Sequence, residues 1–450
     1  MRMLHTSDWH LGHTLRGEVS REQEHAAFLA WLVSACAREQ PDLLVITGDI
    51  FDSATPPASA ERMWFELLAA ARRACPAMDI VAIAGNHDSP ARLGASSSVL
   101  RELNVHVIGG LPRTTDGIDL DRVIIPVAGG RALVAAVPFL RPIDVDPSHE
   151  DPVEAVYAEV VAGLRARRRP TQSVIMLGHL YVAGADTQYL SERRVSIGGV
   201  ESQPLRLFPR DIDYVALGHI HRSQRVLRET IRYAGAPIAL ALDESAYKHQ
   251  VAVVDFADDV VALPVEDPAK PPRTERVREI RSLAIPQTVG IMRVPARGAA
   301  PLETVLDALR GMEPRAREAD GSFVADTSRP YLEIVVALSS PEPKLRGLVE
   351  DALADKRPRL VYLHVEATGD RRALAESVGV ARRLAQLDPR DVFSRLWARD
   401  YKEPPTSDVR AAFERLLATV QGDMADPRGE SSSVAPRSAA SADAQRGRPS

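Results

Sequence analysis

The sequence predicts an α/β layered protein with two folded parts, and three observations carry that expectation. From residue 1 to about 260, short apolar runs ending abruptly in Gly, Asp, Asn or His alternate with helical patterns; DLLVITGD (42–49) and DIVAIAGNHD (79–88) are the clearest runs. A proline-dense break follows, with Pro264, Pro268, Pro271 and Pro272 between residues 263 and 273. A second, shorter alternation of strands and helices lies beyond it.

The elements follow in order. Phe28, Leu29, Leu32, Val33 and Cys36 repeat with a helical period, as do Met63, Trp64, Leu67 and Leu68, and a third helix is expected over 152–167. Further strands are expected at 132–137, 173–177, 213–217, 231–234 and 250–256. The second part reads as strand 289–294, helix 301–309, strand 331–337, helix 341–353 and strand 360–366. Residues 371–421 look helical. Asp388 at the N-cap, Pro389 after it and Asp391 in the first turn open one helix, with Val392, Phe393, Leu396 and Trp397 in a stripe. Ser407 caps another, which carries Val409, Phe413, Leu416, Leu417 and Val420. The expected divisions are a 1–262 domain, a 274–370 capping domain, a 371–422 helical segment and a disordered, Ser/Ala/Arg/Pro-rich tail over 423–450.

Composition excludes several classes. Hydrophobic residues are 45% and charged residues 26% of the 450, which is ordinary for a globular chain and argues against wholesale disorder. Lys+Arg minus Asp+Glu is 56 − 61 = −5, so any nucleic-acid contact rests on local patches, a metal site or a partner rather than a basic coat. Cys36 and Cys75 are the only cysteines, which excludes a disulfide framework and points to a reducing cytoplasm. The N-terminal MRMLHTSDWHLGH lacks the apolar core of a signal peptide, and no apolar run approaches the ~18 residues of a membrane span.

Five segments place metal-capable side chains just after apolar strands: Asp8-Trp9-His10, Gly48-Asp49, Gly85-Asn86-His87-Asp88, Gly178-His179 and Gly218-His219-Ile220-His221. Strand C-terminal ends open into the crevice where α/β folds build sites. Imidazoles, carboxylates and an amide without thiolates select Mn2+, Fe2+ or Zn2+ bound through N and O. Seven ligands and one further His suit a metal pair with a bridging carboxylate and ions about 3.5–4 Å apart, which is the equipment of phosphoester hydrolysis.

These segments resemble the phosphodiesterase signature of the calcineurin-like metallophosphoesterase superfamily. The longer stretches HTSDWHLG, GDIFDSATPP, AGNHDSPARL, ALGHIHRSQ and RYAGAPIALALDE resemble the SbcD family, nuclease subunits of bacterial SbcCD complexes. The resemblance is dense to about residue 255, looser in the middle domain and absent in the tail. It implies that Asp8, His10 and His221 hold one metal, that Asn86, His179 and His219 hold the other, and that Asp49 bridges. It implies that His87 is a non-ligand histidine that protonates the leaving oxygen or stabilises transition-state charge, with adjacent Asp88 to orient it. At position 52 the archaeal and eukaryotic branch usually carries His, whereas this chain carries Asp, which the bacterial branch tolerates.

The resemblance further implies a β-sandwich flanked by helices with a smaller capping domain. The implied activity is that of a two-metal 3′→5′ double-strand exonuclease and single-strand or hairpin endonuclease of DNA recombination, replication and repair. Mn2+ is the expected ion, and the expected partners are DNA, an SbcC-type coiled-coil ATPase and a second copy of the chain. The helices over 388–420 are expected to dock the ATPase through Phe393, Trp397, Phe413 and Leu417. The rival reading is a small-molecule phosphodiesterase or nucleotidase with the same dimetal core; a third is an assembly factor with a silent site. The extra region after residue 260 favours the nuclease. Arg165, Arg167, Arg168 and Arg169 read as helix-end charges. Trp9 reads as packing beneath the site, and His5, His13 and His25 as non-ligands.

Overall fold

The computed structural model describes residues 1–17, 19–186, 202–262 and 274–368, with a few positions between 393 and 413. The chain divides into two compact units, Met1–Gly369 and Asp370–Ser450.

The first unit is built on two six-stranded sheets. One runs in the order Thr274–Ala284, Gln250–Ala262, Arg2–Thr6, Leu43–Thr47, Asp79–Ile83, Val105–Ile108. Its last four strands are parallel, in register Met3↔Leu43, Leu43↔Asp79 and Ile80↔Val105. The other runs Gln224–Val226, Arg228–Tyr233, Tyr214–Gly218, Ser173–His179, Ala132–Ala136, Ile124–Val127. The strands read as unbroken apolar runs because both of their faces are buried. Met3, Val45, Val81 and Ile83 meet Val134, Ile175, Leu177 and Ala216 between the sheets. The alternate residues Leu4, Leu44, Ile46 and Ile80 face outward onto helices α1 (Glu22–Glu39) and α2 (Ala58–Ala74), against Phe28, Leu32, Trp64 and Leu67. Helix Pro152–Arg167 covers the other sheet with Tyr157, Val160 and Leu164. The expected helix-flanked sandwich is therefore observed. Its parallel strands bring the ends at Thr6, Thr47, Ile83, His179 and Gly218 to one rim.

One boundary differs. Residues 274–284, assigned from sequence to the capping domain, form an antiparallel edge strand of the first sheet, with Gln250↔Ala284 and Val254↔Ile280 in register. TERVREIRSLA alternates charged and apolar residues because it packs on one side only, and it covers the exposed backbone of Gln250–Ala262. The proline-rich 263–273 lies outside the described residues.

The smaller domain of this unit begins after Ala284. Its central strand Tyr331–Leu338 is parallel to Ile291–Val294, Ala300–Pro301 and Arg359–Ala367. Leu332, Ile334 and Val336 pack under helices Leu302–Arg310 and Leu345–Leu353, against Val305, Leu309 and Val349.

In the second unit, Phe393 stacks face to face on Phe413, with centroids 4.1 Å apart and planes 6° from parallel, and Trp397 lies 5.8 Å from Phe393. Two of the aromatics expected to reach a partner thus cover each other. Leu417 and the tail lie outside the described residues.

Candidate metal centre

The site is assembled from turns that leave the strands in strained conformations. Asp8, His10, Asp49 and His219 all have positive φ, at 54°, 50°, 48° and 99°. Each costs a residue with a Cβ about 1–2 kcal/mol and persists only where the surroundings fix it. Here backbone bonds do so: Asp8 N–H donates to the Gly48 carbonyl at 3.0 Å, His10 N–H to Asp49 at 3.0 Å and Leu11 N–H to Ile50 at 2.9 Å. Glycine is needed where these loops touch. A Cβ on Gly85 would lie 2.1 Å from Asp49 Oδ1, and one on Gly218 would lie 1.9 Å from the Thr47 carbonyl oxygen. Trp9 is fully buried beneath, its indole N–H on Thr6 Oγ1 at 2.9 Å and its ring edge-on to Phe28 and Trp64.

The structure brings all seven sequence-selected ligands together. Ligand atoms of Asp8, His10 and His221 lie within 4.8 Å of one another, as do those of Asp8, Asp49 and His179. Asp49 is central, with Oδ2 3.5 Å from His10 Nε2 and 3.3 Å from His179 Nε2. Asn86 Oδ1 is 3.0 Å from both His179 Nε2 and His219 Nδ1.

The donor chemistry fits bound cations. His10 Nε2 is buried without a hydrogen-bond partner. His179 Nδ1 lies 2.8 Å from the Thr47 carbonyl, which can only accept. Its Nε2 therefore faces the oxygens of Asp49 and Asn86 and has to present either a proton or a metal to them. In the bare chain, burial opposes the imidazolium but the Asp49 charge outweighs it, pushing His179 up to about 9. A divalent cation competes with that proton. Burial also opposes the Asp49 carboxylate, yet His179, His10 and His87 together hold it well below the usual range, ionised as a ligand requires. Burial, with help from His179, pushes His219 down to about 3, which leaves it neutral. His221 Nδ1 sits 2.8 Å from Glu244 Oε1, which fixes the tautomer that turns Nε2 to the cluster.

The two residues expected to act in catalysis are placed differently. His87 is exposed, whereas the ligands around it are buried or half-buried. Its backbone N–H donates to Asp49 Oδ1 at 2.9 Å, and its Nδ1 lies 2.8 Å from the Asp52 carbonyl. The ring is therefore oriented by Asp52, not by Asp88 as the sequence suggested. Asp88 is buried and accepts from the backbone N–H groups of Gly85 (2.8 Å), Ile50 (3.1 Å) and Phe51 (2.9 Å). It ties the Asp49 loop to the Asn86-His87 loop. Burial and the nearby Asp49 charge push it up to about 6.

Sequence reasoning missed three supports. Glu244 is one; Arg141, whose Nη2 donates to the carbonyls of Gly85 (3.3 Å) and Asp88 (2.7 Å), is another. His13 is the third: not a ligand, it spans Asp52 Oδ1 at 2.9 Å and the Leu240 carbonyl at 2.9 Å. Only the stretch containing Glu244 carried a signal, as part of RYAGAPIALALDE. His5, on Tyr214 and Thr47, and His25 stand outside the metal-holding groups. Arg165 pairs with Asp211, Arg167 with Asp121 and Arg168 with Asp213, in keeping with ordinary helix-end charges.

Comparison with known proteins agrees with this geometry. Residues 1–223 match the calcineurin-like phosphoesterase family, and residues 287–401 match the type 5 capsule protein repressor C-terminal domain. The SbcD subunit of the SbcCD nuclease from Rhodobacter capsulatus is 40% identical over 358 residues, 76% of this chain and 84% of that protein. The SbcD subunits from Bacillus subtilis and Escherichia coli are 38% and 33% identical, each over 57% of this chain and 66% of the relative. The chain belongs to the SbcD family, metal-dependent nucleases whose catalytic part is a calcineurin-like phosphoesterase.

Proposed function

We propose that this nuclease uses a pair of Mn2+ ions to cut DNA, as a 3′→5′ exonuclease on duplex ends and an endonuclease on hairpins and single strands, in recombination, replication and repair. The observation that carries the reading is the arrangement about Asp49. Asp8, His10 and His221 converge on one side, Asn86, His179 and His219 on the other, and an exposed His87 stands beside them.

Asp8, His10 and His221 would hold one ion, Asn86, His179 and His219 the second, and Asp49 both. When bound, such ions activate a water and clamp the non-bridging oxygens of a phosphate. The protein supplies the remainder. Asp49 keeps its charge despite burial. Asp52 holds His87 Nδ1, leaving Nε2 to face a phosphate or leaving oxygen, where it stabilises charge or delivers a proton. Asp88 and Arg141 keep the His87 loop at a fixed distance from Asp49.

The naming of the relatives as parts of a two-component nuclease supports an SbcC-type ATPase partner for this chain, with the helical segment around Phe393, Trp397 and Phe413 as its docking element. Phe65 of α2 is 44% exposed, and Val99 and Leu103 are 68% and 53% exposed. The segments bearing them are linked by the Arg92–Glu61 ion pair and form the face on which two copies would pair. A single-chain mass by light scattering would remove that face from the account. Among the described residues no helix is long and apolar enough to cross a membrane, which accords with a cytoplasmic site of action.

The test is digestion of a 5′-labelled duplex and a hairpin with Mn2+, with and without the ATPase. The expected result is stepwise shortening from 3′ ends and opening of the hairpin. Hydrolysis of mononucleotide esters with no cleavage of either DNA under both conditions would instead select the small-molecule reading.

A further inference from the structure

The two halves of the ligand cluster are held by different parts of the chain. His179 is fixed by the Thr47 carbonyl, and the His219 backbone N–H donates to Asp8 Oδ1 at 2.9 Å, so that half is tied to the strand ends of the sandwich. The half with His10 and His221 hangs on a surface segment, 239–244. Glu244 is fully buried; one oxygen meets His221 Nδ1 at 2.8 Å and the other accepts the Leu240 N–H at 2.8 Å. The Leu240 carbonyl lies 2.9 Å from His13 Nε2, and the Asp52 oxygen that meets His13 Nδ1 is 3.3 Å from His10 Nδ1.

Segment 239–244 is itself held by a buried polar cluster that reaches the smaller domain. Arg21 is 1% exposed; its Nη1 donates to the Ala239 carbonyl at 2.6 Å, and its Nε and Nη2 fork the Glu24 carboxylate at 2.5 and 2.7 Å. Glu24 also accepts the Tyr331 hydroxyl. Tyr331 opens the central strand of the smaller domain. Its ring lies between the Arg21 and Arg359 guanidinium groups, at 5.0 and 4.4 Å, and packs with Leu15, Leu242 and Val289. Desolvation makes a buried ion pair a poor source of stability, since apolar residues of like volume often serve as well. What the fork and its tyrosine provide is register: they admit one seating of the smaller domain on Arg21, and through Ala239 one position of segment 239–244.

We propose that Tyr331, Glu24 and Arg21 form an interdomain latch, through which the seating of the smaller domain sets the metal affinity of the His10/His221 half of the centre and not of the Asn86/His179/His219 half. These three are positioning residues; none touches the ions or the DNA. The proposal rests on the two-metal reading above.

The experiment is calorimetric titration of Mn2+ into the metal-free full-length chain, with thermal melting of each metal-free variant alongside. The wild type is expected to show two sites. Glu244→Gln, adjacent to the ligand, should weaken one of them about 10–100-fold, the range for loss of a ligand's hydrogen-bond partner. Tyr331→Phe, which removes a single hydroxyl, and Arg21→Lys, which keeps the charge but loses the fork, should weaken one site about 3–10-fold, a fraction of that direct effect. Combined with Glu244→Gln they should add little, because the same link is already cut. Equal weakening of both sites, unchanged affinity in Tyr331→Phe and Arg21→Lys, or full additivity with Glu244→Gln would each overturn the latch while leaving the two-metal reading intact. A wild-type chain that binds one ion would overturn both.

Discussion

Asp49→Asn is expected to abolish Mn2+-dependent DNA hydrolysis while the far-ultraviolet circular dichroism and melting behaviour stay close to wild type. The carboxylate sits between His10 Nε2 and His179 Nε2 at 3.5 and 3.3 Å, at a position that faces both halves of the cluster. An amide keeps Oδ1 as acceptor for the His87 backbone N–H, so the loop contact survives. It loses the negative charge, and it turns an N–H2 toward nitrogens that are needed as metal ligands. The loss should be about a thousandfold or more, the upper range for removal of one preorganised electrostatic group, with at least one ion per chain lost on dialysis. Near-normal turnover with two ions retained would contradict a bridging role.

His87→Gln is expected to separate chemistry from binding. Its ring is the exposed imidazole of the site and touches the Asp52 carbonyl rather than a ligand oxygen. Removing it should leave both ions and DNA affinity unchanged and lower turnover about 10²–10⁴-fold, the usual contribution of a positioned acid or base. His87 nevertheless lies close enough to His10 and Asp49 to form a metal-capable triplet with them. Loss of an ion in His87→Gln, measured by elemental analysis after gel filtration, would therefore make it a ligand and reverse the assigned roles.

The sandwich was legible because its strands are buried on both faces and end in glycine followed by a ligand. LLVIT before Gly48-Asp49 and YVALG before His219 carry strand, turn and function in consecutive residues. The edge strand Thr274–Ala284 was not, since its charged alternation after a proline run looks like the start of a new domain until its partner strand is known. The ligands were legible for the same reason as the strands: each lies next to its turn. Their supports were not. Glu244 lies 23 residues from the His221 that it orients, Asp52 presents a backbone carbonyl rather than its side chain to His87, and Asp88 serves backbone N–H groups. Such roles depend on distances between loops, which no spacing along the chain encodes. Tyr331 is the extreme case: an apolar-run residue at the head of a strand whose hydroxyl meets a carboxylate 307 residues away.

The central claim is that two ions lie on either side of Asp49. The most direct measurement is anomalous diffraction at the manganese edge from crystals grown with Mn2+. The account predicts two peaks about 3.5–4 Å apart, the spacing of two-metal phosphoesterase sites, one against Asp8, His10 and His221 and the other against Asn86, His179 and His219, both in contact with Asp49. A single peak, or a pair that leaves Asn86 or His221 without a metal, would contradict it.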